Sequence, residues 1–142
     1  MQHKRWIAPV LIGIALLVAG CGGASGYETA SAPAKVEEVA GHTQVVLSAE
    51  AAQRLDIQTA PVRNAAGKGT VIPFAALLYD PNGETWTYTN PRPLVFVRDD
   101  VRVDRIEGDR AILSAGPPPG TAVVSVGATE LWGVEYGGIE ED

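Results

Sequence analysis

Cys21 is the single cysteine of this 142-residue chain, and it closes the most apolar stretch, Leu16-Leu17-Val18-Ala19-Gly20-Cys21. A lone thiol has no internal disulfide partner, and a thiolate metal site uses several ligands, so neither chemistry is open to it within one chain. Asp99, Asp100 and Asp104 form the other grouping with chemical potential, three carboxylates close together as a hard cation would need. The run lacks an Asp-x-Asp-x-Asn-Gly loop, however, and Arg98, Arg102 and Arg105 stand among the acids and would oppose a cation. A wet strand face with cross-strand ion pairs is the expectation instead. His42 is the one histidine beyond the chain's start, and no serine or carboxylate is spaced as an obvious catalytic partner, so it reads as solvated. The sequence thus predicts no enzyme, no metal site and no cofactor. Trp86, Tyr88, Trp132 and Tyr136 are the candidate partner contacts, because aromatic residues dominate binding hot spots; core packing is the competing expectation.

The elements around Cys21 say what its sulfur is for. His3-Lys4-Arg5 precedes an apolar run from Trp6 to Gly20, with small residues just before the cysteine. That is the order of an export signal. Fifteen helical residues rise only about 22 Å, short of the roughly 30 Å hydrocarbon core, which favours a removable signal over a permanent span. Leu17-Val18-Ala19-Gly20-Cys21 resembles the lipobox of bacterial lipoproteins, and that resemblance implies lipidation of Cys21 as the new N-terminus. The sulfur is then consumed as a thioether. One acyl chain anchors only marginally, whereas the diacylglyceryl group implied by the resemblance anchors lastingly, at about 0.8 kcal/mol per buried methylene. The expected location is extracytoplasmic, lipid-anchored at the cell membrane, on its periplasmic or outer face.

Loss of Lys4 and Arg5 leaves nine basic side chains against seventeen acidic ones, a net charge of −8. Such a surface repels nucleic acid, so no nucleic-acid partner is expected. The chain divides into a signal (1–20), a lipidated cysteine and flexible tether (21–42), one small domain (43–136) and an acidic tail (137–142). Twenty flexible residues after Cys21 would have an end-to-end distance of about 25 Å and a limit of roughly 70 Å.

Within the domain, Ser48 sits at a helix N-cap position and Glu50 with Arg54 forms a favourable i,i+4 pair, so a short helix lies between two strands. Ile57 to Val62 and Thr70 to Tyr79 read as strands. Asp80-Pro81-Asn82-Gly83 has the residue order of a type I turn and predicts a hairpin into the alternating Trp86 and Tyr88. Leu94 to Val97, Val101 to Ile106, Arg110 to Ser114 and Thr121 to Val126 complete the strands, with Leu131 to Tyr136 as a further short one. The predicted fold is mostly β: a small antiparallel barrel or sandwich-like domain with one short helix.

Two stretches of this domain resemble the membrane-proximal domain of periplasmic adaptor proteins, the membrane fusion proteins of efflux systems. Val45-Val46-Leu47-Ser48 through Leu55 to Val62 is similar to the segment by which heavy-metal-type adaptors enter that fold. Val71 to Leu77, followed by Gly116, Gly120, Val123-Val124 and Gly127, is similar to the segment that finishes it. The barrel, lipoyl-like and helical-hairpin domains that lie between these segments in a full adaptor are replaced by about ten residues around Gly67-Lys68-Gly69. The chain departs from the family at Asp56, where adaptors often carry glycine. The resemblance implies an accessory protein that docks on a membrane transporter or a full-length adaptor but cannot form the conduit. The alternative function is a free-standing ligand-binding or structural envelope lipoprotein, and a remnant of an internal deletion is a third.

Overall fold

In the computed structural model, which describes residues 32–137, eleven strands form two antiparallel sheets. The expected signal, Cys21, residues 22–31 of the tether and residues 138–142 of the acidic tail lie outside the described residues. The larger sheet takes β1 (Ala34–Val39), β2 (His42–Leu47), β8 (Val95–Asp100), β7 (Thr85–Arg92), β11 (Ala122–Val126) and β3 (Gln58–Pro61) in that spatial order. Two-residue β6 (Leu78–Tyr79) also pairs with β7. The smaller sheet runs β4 (Arg63–Asn64), β5 (Thr70–Pro73), β10 (Arg110–Ala115) and β9 (Arg102–Glu107). Neither sheet closes on itself, so the barrel alternative is replaced by two open sheets.

Single residues carry the chain from one sheet to the other. Val62 separates β3 from β4 and Val101 separates β8 from β9; both are buried and belong to one core with Ile72, Leu77, Leu113 and Val123. A strand that bends at a buried valine contributes to both sheets and seals the corner between them. A second core, built on Val45, Leu47, Trp86, Tyr88, Phe96 and Val124, lies beneath two helices, α1 (Ala49–Arg54) and α2 (Ala128–Gly137). Strand β7 therefore has both faces covered. Trp86 and Tyr88 face the helices, while Thr87 turns the other way and its Oγ1 donates to the Ala76 carbonyl at 2.8 Å.

The short helix forms as the sequence predicts. Ser48 caps α1, its Oγ accepting from the Ala51 N–H at 3.1 Å, and Asp56 ends it with φ 49°, a left-handed conformation that costs a non-glycine residue roughly 1–2 kcal/mol. The turn at Asp80 is also present: Gly83 N–H donates to the Asp80 carbonyl, and Asp80 Oδ1 accepts from the Asn82 and Glu84 N–H groups.

Four expectations need correction. The expected tether contains β1, so the folded body starts at Ala34 and not at Thr43. Ala34 and Val36 pack toward the helix-covered core, and all six β1 residues pair with β2. Second, residues 131–136 are not a strand but lie in α2, where Ala128, Leu131, Trp132, Glu135 and Tyr136 recur with helical spacing on one face. Third, the expected strand from Thr70 to Tyr79 breaks after Pro73 into a 3-10 turn over Phe74–Ala76 that moves the chain between sheets. Fourth, the expected single helix is joined by α2, the longer of the two.

The β1–β2 connection is strained. Ala40 and Gly41 both have positive φ, 53° and 81°, the pattern of a type I′ turn in which asparagine is favoured at the first position. Ala40→Asn is expected to stabilise the protein by about 0.5–1 kcal/mol in urea unfolding, by relieving a left-handed alanine. A loss of stability would contradict that turn geometry.

Candidate functional site

The four aromatic candidates form one continuous row. Tyr88 and Trp86 meet edge to face with ring centroids 4.8 Å apart, Trp86 meets Trp132 at 5.7 Å, and Trp132 meets Tyr136 at 5.7 Å. Such contacts each contribute about 0.5–1.5 kcal/mol beyond area burial. Exposure rises along the row. Tyr88 and Trp86 are buried, Trp132 is partly buried, and Tyr136 is 52% exposed. Trp86 and Tyr88 are therefore not available to a partner: they face the helix-covered side of β7, and α2 lies over them. Tyr136 remains as the surface-facing end, backed by Trp132.

An ion pair fixes this row. Arg98 on β8 is directly opposite Tyr88 on β7, and its guanidinium lies 4.0 Å from the Trp86 ring centroid, a cation–π contact. From α2, Glu135 turns inward, and its side chain is only 4% exposed. One carboxylate oxygen accepts from Arg98 Nη1 at 3.3 Å and the other from the Tyr88 hydroxyl. A buried carboxylate between two donors is satisfied only with the helix in place. The cluster thus ties α2 to the sheet. The indole N–H groups of Trp86 and Trp132 have no acceptor among the described residues.

The titration of these groups follows from their surroundings. Burial, reinforced by the Glu135 carboxylate, pushes the Tyr88 phenol far above its usual range. Burial alone would lower Arg98, but its contact with the Tyr136 hydroxyl and the charge of Glu135 outweigh it and raise the guanidinium. Above about pH 10 an unfolded chain releases the Tyr88 proton while the folded protein keeps it. The stabilising contribution is therefore whole below that pH and lost above it, at about 1.4 kcal/mol per pH unit. Urea unfolding between neutral and strongly alkaline pH is expected to show this slope, and Tyr88→Phe should flatten it. Equal slopes for the two proteins would contradict the assignment.

The acidic grouping is dispersed by the fold. Asp99 and Asp100 project from opposite faces of β8, whereas Asp104 lies on β9 in the other sheet. Asp104 pairs with Arg105 at 2.6 Å, and Glu107 accepts from the same arginine at 2.7 Å. Burial raises the Asp99 carboxyl above its ordinary value. Among the described residues no group of three histidine, cysteine or carboxylate side chains is placed to hold a metal ion. His42, expected in the tether, is instead the exposed first residue of β2.

Sequence reasoning missed Arg98 and Glu135 as members of the aromatic site. The signal that could have found Glu135 is its spacing from Leu131, Trp132 and Ala128 on one helical face, with a carboxylate where an apolar residue is expected. Compared with models of known protein families, with curated proteins and with solved structures, the chain gives no match.

Proposed function

We propose that this chain is a lipid-anchored extracytoplasmic accessory protein whose β domain docks on a membrane transporter or efflux complex by protein–protein contact. The observation that carries the reading is the aromatic row, which ends in an exposed Tyr136 held from behind by Trp132 and by the buried Arg98–Glu135 pair. An exposed aromatic side chain on a rigid support suits a binding hot spot, because little side-chain freedom is left to lose on association. The lipobox-like sequence supplies the location. With β1 beginning at Ala34, twelve residues separate Cys21 from the folded body, and twelve residues reach at most roughly 40 Å. The body is thereby kept close to the bilayer surface, where a transporter presents its outer loops.

Photo-crosslinking from position 136 in intact cell envelopes tests this reading. Crosslinks to an integral membrane transporter or to a full-length adaptor are expected, and they should be lost when Trp132 is also replaced by alanine. Crosslinks only to water or lipid, with no protein adduct, would contradict docking through this surface. A free-standing ligand-binding lipoprotein is the second reading, favoured by an apolar groove on the same side of the molecule as the helices.

A further inference from the structure

The groove lies between α1, the β1–β2 hairpin and the end of α2, is open to solvent, and has a volume of about 420 Å³. It exists because α1 is only six residues long and turns small side chains, Ala51 and Ala52, toward the sheet. The helix therefore leaves part of β1 uncovered. Val36 and Leu47 from the hairpin, Ala51 and Leu55 from the first helical segment, and Val134 from the second helix give apolar walls. Arg54 is the one charged side chain among the described residues that line it.

Arg54 is mostly exposed, and its contact with Glu50 is a surface pair at 3.8 Å, which competes weakly for the guanidinium. An apolar trough with a single cation at its solvent edge is complementary to a molecule with an apolar tail and one negative head. The volume lies within the range of small-molecule sites, which are mostly apolar with a few placed polar groups. We infer that this groove binds a single-chain anionic amphiphile, a long-chain fatty acid, with the tail against Val36, Leu47, Leu55 and Val134 and the carboxylate on Arg54. The inference stands apart from the docking proposal, since it uses neither Tyr136 nor a lipid on Cys21.

The test is a palmitate analogue carrying a diazirine in its tail, added to cells that express the full chain, irradiated, and followed by peptide mapping. The label is expected on peptides containing Val36, Leu55 or Val134, competed by excess laurate and less well by the neutral alcohol of the same length. Val36→Glu, which puts a carboxylate in the trough, should reduce labelling about tenfold or more. Arg54→Gln changes an exposed residue and should reduce it by up to about fivefold, with the preference for laurate over the alcohol abolished. Two results would overturn the inference. One is an absence of labelling, as when the chain's own flanking residues fill the groove. The other is labelling spread equally over the exposed Phe74 and Ile106, with no response to either substitution.

Discussion

Replacing Glu135 by alanine is expected to destabilise the folded body by about 3 kcal/mol, read as a lower urea midpoint of the purified chain. The cause is what the substitution leaves behind. Arg98 and the Tyr88 hydroxyl both direct donors at the Glu135 carboxylate, and truncation strands a partly buried cation and a buried phenol beneath α2. Breaking a buried pair by removing one member costs about 3–5 kcal/mol; the lower end applies here because the Arg98 side chain keeps 24% of its exposure. A combined Glu135→Leu, Arg98→Met and Tyr88→Phe variant should recover most of the loss, since no polar group then remains unpartnered. A single variant within about 0.5 kcal/mol of the parent would show that the pair does not hold α2 on the sheet. If α2 is held in this way, Glu135→Ala should also weaken crosslinking from position 136, because Tyr136 loses its rigid support.

Gly127→Ala is the second large effect, at about 2–5 kcal/mol of lost stability. Gly127 joins β11 to α2 with φ 79°, and a Cβ built there would lie 2.6 Å from Ile57 Cδ1 and 2.7 Å from the Leu55 carbonyl oxygen. The isoleucine tip can shift. The carbonyl belongs to the end of α1 and cannot move without disturbing the helix, so left-handed backbone strain and overpacking act together. Gly137→Ala, where a Cβ meets open space, is the control and should change stability little. Equal midpoints for the two variants would contradict this close approach of the helix ends.

Where local chemistry is self-sufficient, the structure follows the sequence closely. Ser48 and the Glu50–Arg54 pair mark α1, and Asp80 marks its turn through bonds to its own neighbours, so each can be read without knowing the rest of the fold. Strand β1 was hidden because Ala34 and Val36 are its only apolar residues packed on the core, and Lys35, Glu37 and Glu38 occupy positions on both of its faces. The Ala40-Gly41 turn adds no asparagine or aspartate to announce a hairpin. Helix α2 was hidden for a different reason. Its buried stripe includes Glu135, a residue that composition assigns to solvent, and that carboxylate becomes tolerable inside only through Arg98 and Tyr88, which are distant in sequence. The aromatic candidates were legible as a set, but their order from core to surface depends on α2 crossing β7, a tertiary fact with no local signature.

The proposed function depends most heavily on lipidation of the Cys21 sulfur, the step by which the β domain would be brought to a membrane before it docks. Mass spectrometry of the chain isolated from its native cells tests that placement most directly. The expected result is a mature N-terminus at Cys21 bearing a diacylglyceryl thioether, recovered with the membrane fraction. A free thiol at residue 21, in a chain that still carries residues 1–20 and partitions with soluble cytosolic proteins, would contradict it.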